Sequence, residues 1–375
     1  MTASANPRDQ YLIKSIVHAS RLLASFRSQS EALSLKEIEA RSGMTKTKAF
    51  RLLYTLERCG MVKKVGRNLY QTSTRPFKHM LYRFGYAALG TDYQFAREVS
   101  EGLRRAAEAE GIDLIAVDNR YSSKTALRNA DLLVREKVDL VIEYQIGEEV
   151  APIVAAKYRD ANIPMIAIDI PHPGATFYGA NNYEAGLIGG KRLGRWAKEN
   201  WQSGVDEIIL LELRRAGYLP RMRLTGILMG IRQTLPNTGN CRVSYLDGDG
   251  ELVSSFEAVR RYLRFSRSSK ILVGANNDLS ALGALRAFQE AGRTECCAIM
   301  GQNASPEGRQ ELRQPNTRLV GSVAYFPERY GENVIQVGLD ILSGRLVPPA
   351  VFVEHKLVTS ATVDHYYPND SLTGS

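Results

Sequence analysis

From Phe84 to the C-terminus the sequence alternates between short apolar runs and longer amphipathic stretches. FGYAAL, IDLIAVDN, VDLVIEY and IPMIAID read as buried strands. AREVSEGLRRAAEAEG, TALRNADLLVREK and VAPIVAAKYRDAN lie between them and read as helices. Strand–helix alternation at this spacing predicts parallel sheets wound with right-handed crossovers. The pattern pauses near Gly179 and restarts with AGLIGGKRLGRWAKEN as helix, followed by EIILLEL, VSYLD, KILVGAN and CAIMG as strands. Two consecutive α/β units, each with its own sheet, predict two lobes with a cleft between them. In open parallel sheets, ligands bind beyond the carboxyl ends of the strands.

The first 83 residues read differently. Leu12, Ile16, Ala19, Leu23 and Phe26 recur at three- and four-residue steps, which predicts an amphipathic helix. Ser34, with Glu37 three residues later, opens a second helix, LKEIEARS, in a capping-box arrangement, and Gly43 stops it. Thr45 opens a third helix, KTKAFRLLYTLERC, with Phe50, Leu53 and Leu56 on its core face and Gly60 at its end. The period then changes to the alternation of MVKKVGRNLYQT, where Gly66-Arg67-Asn68 supplies the turn of a β-hairpin. Two short helices joined by a glycine turn and followed by a hairpin make a winged helix-turn-helix.

Charge sharpens that reading. Residues 1–83 carry 16 Lys and Arg against 5 Asp and Glu, whereas the remainder carries 33 against 35; all of the net +9 therefore sits on the N-terminal fifth. A basic domain of this kind suits a polyanion, because neutralising phosphates releases condensed counterions. TRPFKHMLYR (residues 74–83) reads as a linker, which divides the chain into 1–73, 74–83 and 84–375.

The segment SLKEIEARSGMTKTKAFRLLYTLERCGMVKKVGRNLYQTS resembles the IclR-type winged helix-turn-helix. The resemblance implies a recognition helix from Thr45 to Cys59 whose start enters the major groove of double-stranded operator DNA. Thr45, Lys46, Thr47, Lys48 and Arg51 would touch DNA there, with Lys63, Lys64 and Arg67 of the wing against the backbone.

A second resemblance covers Phe84 to about Pro368. It rests on FYGANNYEAGLIGGKRL, RMRLTGILMG, VGANNDLSALGALRAFQEAG, GSVAYFPERYG and the closing VFVEHKLVTSATVDHYYP, and it is to type I periplasmic sugar-binding proteins and the LacI-type effector domains built on them. It implies an α/β fold with a two-lobed ligand-binding domain. It also implies a ligand set: Asp92, Tyr93 and Phe95 after the first strand, Asp169, Arg221, Asn277, Asn303 and Tyr325. Arg223 would brace the fold. Ile170 stands where an arginine is common in that family, which points away from the usual pyranose or furanose pattern and toward a deoxy sugar, a polyol or another sugar derivative.

Other classes find little support. The five histidines are dispersed, metal-ligand spacing is absent, and neither GxSxG nor GxxxxGK[ST] occurs, so neither catalysis nor a metal or other cofactor is expected. The glycines of LIGGKRLG read as close helix packing. No apolar run approaches the ~18–20 residues that cross a bilayer. The start, MTASANPRDQYLIK, lacks a secretory signal, and Cys59, Cys241, Cys296 and Cys297 read as reduced thiols. The expectation is a cytoplasmic, ligand-responsive transcription regulator acting as a homodimer. The alternative is a solute-binding component of a sugar uptake system.

Overall fold

The computed structural model describes residues 13–28, 31–66, 68–73, 82–90, 94–145, 147–201, 204–214 and 217–372. The chain forms two compact units dividing between Arg83 and Phe84, with residues 107–113 grouped with the first.

The first unit contains α1 (Lys14–Leu23), β1 (Ala32–Ser34), α2 (Leu35–Ser42), α3 (Lys46–Arg58), β2 (Val62–Gly66) and β3 (Leu69–Thr72). The capping box forms: the Ser34 side chain accepts from the Glu37 amide while Glu37 accepts from the Ser34 amide. Gly43 closes α2 at φ 65°, in the left-handed region that glycine enters without a Cβ penalty. β2 and β3 pair antiparallel around Asn68, itself at φ 68°. The sheet gains a third strand that the sequence reading does not anticipate, since β1 pairs with β3 through Leu33 and Tyr70.

The core of this unit is Leu22, Phe26, Leu33, Ile38, Ala49, Leu53, Leu56, Val62 and Tyr70. Two expected core residues lie outside it. Phe50 is 51% exposed and Ile16 63% exposed. The four- and three-residue steps that α3 buries are Ala49, Leu53 and Leu56, so Phe50 is turned toward solvent. Likewise, α1 buries Leu22, with Ala19 and Leu23 half-covered, and leaves Ile13, Ile16 and Val17 as an exposed apolar stripe. Thr45 occupies the N-cap position of α3 but makes no side-chain cap bond. Leu12 lies outside the described residues.

In the second unit, the first lobe opens with β4 (Arg83–Ala88), α4 (Gln94–Glu110), β5 (Asp113–Asp118), α5 (Ser123–Arg135), β6 (Leu140–Glu143), α6 (Ala151–Asp160), β7 (Met165–Ile168) and β8 (Thr176–Gly179). The second lobe follows with α7 (Asn182–Asn200), β9 (Glu207–Glu212), α8 (Tyr218–Thr234), β10 (Arg242–Asp247), α9 (Leu252–Leu263), β11 (Ile271–Ala275), α10 (Asp278–Glu290), β12 (Cys297–Asn303), α11 (Pro306–Leu312) and β13 (Leu319–Ala324). The chain then returns to the first lobe for α12 (Tyr330–Leu342) and β14 (Ala350–Phe352) and crosses again for β15 (Lys356–Val358).

The sheets run β14-β8-β7-β6-β4-β5 and β10-β9-β11-β12-β13-β15. The pairings β4–β6–β7–β8 and β10–β9–β11–β12–β13 are parallel, and β15 closes the second sheet antiparallel. Apolar clusters cover the sheet of the first lobe and both faces of the second.

The glycines of LIGGKRLG do pack helices. A Cβ on Gly190 would overlap the backbone carbonyl oxygen of Ile227 in α8, and one on Gly186 would overlap that of Arg223. Backbone cannot move aside as a side-chain tip can. Gly190→Ala should therefore lower unfolding free energy by about 3 kcal/mol or more, in the upper range for overpacked sites. A denaturant midpoint within experimental error of wild type would contradict this account of the α7–α8 crossing.

Candidate functional site

Two surfaces collect the candidate residues, one in each unit. On the first unit, Thr45, Lys46, Thr47, Lys48 and Arg51 are all exposed at the start of α3, and Lys63 and Lys64 are exposed on β2. Arg67 lies outside the described residues. The start of α3 thus combines an uncapped helix N-terminus with Lys46 and Lys48 and no acidic residue in its first turn, and Arg51 follows in the next, an arrangement suited to phosphate oxygens. Lys48 Nζ lies 2.8 Å from His18 Nε2 on α1. The lysine must donate, so the imidazole accepts and is neutral at that nitrogen. Burial, then Lys48, Arg21 and Lys14 in turn, lowers the His18 pKa.

In the second unit, Asp169, Asn277, Asn303 and Tyr325 stand at or just beyond the carboxyl ends of β7, β11, β12 and β13. Asp169 follows β7 at φ 60°, in the left-handed region. Its amide donates to the Tyr178 carbonyl, and the carboxylate meets the hydroxyls of Tyr144 and Tyr330, the latter at 3.5 Å. Burial pushes its pKa up to about 6 in spite of the opposing pull of Arg223. Tyr325 follows β13, is 1% exposed, and donates to Gln302 Oε1 at 2.8 Å. The Arg223 guanidinium stacks 4.8 Å from the Tyr325 ring centre. His355 packs edge-on against the same ring and accepts from the Asn181 amide. Burial, then Arg223, lowers its pKa to about 4, which keeps it neutral.

The two arginines of RMR part company. Arg223 donates to Asn182 Oδ1 at 2.6 Å and to the Asn276 carbonyl at 3.0 Å, within the cleft. Arg221, the one singled out from the sequence, is 64% exposed and pairs with the buried Glu212. The two asparagines of NND divide similarly. Asn277 caps α10 by accepting from the Ser280 amide and donates to the Gly250 carbonyl, while Asn276 is buried beside Arg223. Asp278 is buried and accepts from the Ser322 hydroxyl and the Ser305 amide.

Asn303 sits at φ 91° with a buried Oδ1 that has no partner among the described residues. A buried acceptor left unmade is costly, and at a strand end it marks a place where a ligand can donate. Phe95, at the start of α4, meets Tyr330 edge-on at 5.6 Å. Asp92 and Tyr93 lie outside the described residues. Ile170 is buried, so no side chain at that position reaches the cleft as a charge.

Sequence reasoning missed Tyr144, Tyr330, His355 and Arg223 as parts of this cluster. Tyr144 stands one position beyond β6, Tyr330 begins α12 and His355 immediately precedes β15, and nothing in their local pattern separates them from core residues. Among the described residues there is no cluster of His, Cys, Asp and Glu that could hold a metal ion. No helix there is long and apolar enough to cross a membrane.

Residues 84–346 match the periplasmic binding protein domain, and residues 15–66 match the IclR helix-turn-helix domain. The chain is 25% identical over 267 residues to the ribose import binding protein of Escherichia coli (strain K12), covering 70% of this chain and 86% of the relative. Among solved structures, it is similar to a periplasmic solute binding protein from Actinobacillus succinogenes 130z with bound D-allose. The TM-score is 0.66 at 16% identity, over 76% of this chain and 100% of that one. It is similar also to a solute binding protein from Agrobacterium vitis with bound allitol, at TM-score 0.66 and 22% identity, over 77% and 98% of the two chains.

Proposed function

The chain belongs to the periplasmic binding protein domain family, and from that membership, joined to the helix-turn-helix ahead of it, we propose that it is a ligand-responsive DNA-binding transcription regulator. The observation that carries the reading is the fusion itself: a basic DNA-binding unit with its cations on the open end of α3, attached to a domain whose relatives hold small polyhydroxylated molecules. The effector is a sugar, a polyol or a derivative of one. The named ligands of the relatives, ribose, D-allose and allitol, belong to that class, and acids, amides and stacked aromatics at the strand ends suit it. Asp169 and Asn303 accept hydroxyl hydrogens, and Phe95 and Tyr325 cover apolar faces. A regulator of this kind works in the cytoplasm, beside its DNA.

A second reading, a solute-binding component of sugar uptake, is favoured by the import protein among the relatives. It leaves the helix-turn-helix without a task. A thermal-shift screen of the whole chain against monosaccharides, polyols and sugar acids, repeated with duplex DNA, separates the two. A stabilising sugar that changes DNA affinity supports the regulator; a stabilising sugar with no DNA binding at all supports uptake.

The regulator is a homodimer in this reading. A single winged helix covers few base pairs, and two units on symmetric half-sites gain effective concentration. The exposed stripe of Ile13, Ile16 and Val17 on α1 supplies an apolar face for pairing. Ile16→Glu should then convert a dimer to a monomer at micromolar concentration by light scattering. A variant that stays dimeric, or a wild type that is monomeric with and without DNA, counts against the assignment.

A further inference from the structure

Two large rings on α3 face water. Phe50 is 51% exposed and Tyr54, one turn further on, 54% exposed. Tyr54 is engaged within the helix: Arg58 donates to its hydroxyl at 3.3 Å and lays its guanidinium 5.5 Å from the ring centre. Phe50 has no polar atom to engage. A single exposed phenylalanine is ordinary on most surfaces. This one stands in the first half of α3, among Lys46, Thr47 and Arg51, all exposed.

The neighbours of Phe50 fix its direction. α3 buries Ala49, Leu53 and Leu56, and Phe50 stands about 100° around the helix axis from Ala49. Lys48 reaches His18 on α1. Phe50 lies about 200° round from Lys48, so α1 flanks the other side of the helix. The ring therefore does not continue the apolar stripe of Ile13, Ile16 and Val17. Lys46, Phe50 and Tyr54 recur at four-residue steps, next to the line of Thr47, Arg51 and Arg58. An apolar ring is thus set among groups suited to a polyanion.

The chemistry of the groove names the occupant. This step rests on the DNA-binding reading above, in which the start of α3 enters the major groove and meets base edges. Those edges are made of hydrogen-bond donors and acceptors, and the C5 methyl of thymine is the one apolar group among them. A phenyl ring laid over any other edge would strip water from polar atoms and give no bond in return. Laid on a methyl, it buries apolar surface on both partners. We propose that Phe50 reads a thymine methyl, favouring thymine and disfavouring the other bases at one position of the bound sequence. The cations beside it hold α3 on the phosphates, and Phe50 supplies discrimination that phosphate contacts lack.

The test uses the full chain. Duplexes enriched from a random library give its preferred sequence, and each thymine there is replaced singly by deoxyuridine, which removes only the methyl. Anisotropy titration should find one thymine position per bound α3 where the replacement weakens binding about fourfold, the effect of one buried methyl. A C·G pair at that position should weaken it about tenfold or more. Phe50→Ala should bind the thymine and deoxyuridine duplexes equally, with the slope of log affinity against log salt unchanged, since no charge is lost. Enrichment with Phe50→Gln should no longer return thymine there. A wild-type chain indifferent to every deoxyuridine, or a preferred sequence without thymine, would overturn the assignment and leave DNA binding standing. So would a Phe50→Ala chain that keeps the wild-type preference. Loss of all binding by both variants, with circular dichroism unchanged, would also overturn it, because one methyl contact is too small for that. Failure of the wild-type chain to enrich any duplex would overturn this assignment and the DNA-binding reading together.

Discussion

Removing residues 1–83 is expected to abolish binding of duplex DNA, and the full chain should bind it with steep salt dependence. The expectation rests on where the cations are. The segment carries 16 basic against 5 acidic residues, and the rest of the chain is slightly acidic. Lys46, Lys48, Arg51, Lys63 and Lys64 are exposed on α3 and the wing strand. If six or more phosphates are neutralised, affinity should fall by about a thousandfold between roughly 50 and 200 mM salt. Arg51→Ala should reduce the slope of log affinity against log salt by about one. It should leave the unit folded, because α3 is held by Ala49, Leu53 and Leu56 on its other face. Lys48→Ala is a less clean substitution, since it also releases His18 on α1. Anisotropy titrations of a labelled duplex at several salt concentrations would measure all of this. Retained binding by residues 84–375 alone would remove the DNA-binding assignment from the first unit.

The architecture was legible because its signals are periodic and long. Strand–helix alternation is repeated many times, and each repetition constrains the next, so both lobes could be read without any single boundary being right. The capping box at Ser34 and the glycine stop at Gly43 were legible for a different reason: each is a local motif whose partners lie within four residues.

Faces were harder. In α1 and α3 the apolar residues span more than one stripe, and a 3.6-residue period cannot say which stripe meets the core and which is left outside. Ile16 and Phe50 fell on the wrong side of that choice. The cleft shows the same limit at finer scale. Arg221 and Arg223 are two residues apart on α8, about 200° around the helix, so only one of them can face Tyr325. Asn276 and Asn277 both follow the end of β11, where the first lies against Arg223 and the second is consumed as a helix cap. Tyr144 and Tyr330 come from separate segments that only the folded chain brings to Asp169, and His355 comes from a third that meets Tyr325.

That convergence makes Asp169 the residue with most to lose in the ligand response. Asp169→Ala should abolish the thermal stabilisation given by whichever sugar or polyol the screen identifies, while ligand-free DNA binding stays near wild type. The carboxylate serves the ligand as an acceptor and must be ionised to accept with both oxygens. Its pKa is raised to about 6, chiefly by burial. Ligand affinity should therefore be flat above pH 7 and fall as pH drops through about 6, where the proton displaces the accepted hydroxyl. The sign for folding is the opposite. A carboxyl with a raised native pKa favours the folded state at low pH, and that contribution is lost as pH rises through about 6. The contribution of Asp169 to stability and its contribution to affinity thus move in contrary directions across the same window. Asp169→Asn should remove the pH dependence along with most of the affinity. Coupling to DNA is a separate requirement, since a ligand shifts the DNA-binding equilibrium only by its differential affinity for the two states. Wild-type DNA affinity should therefore change on adding ligand, and the Asp169→Ala affinity should not. If the variant still responds to the ligand, with a melting shift and DNA response like those of wild type, the effector is held elsewhere in the domain.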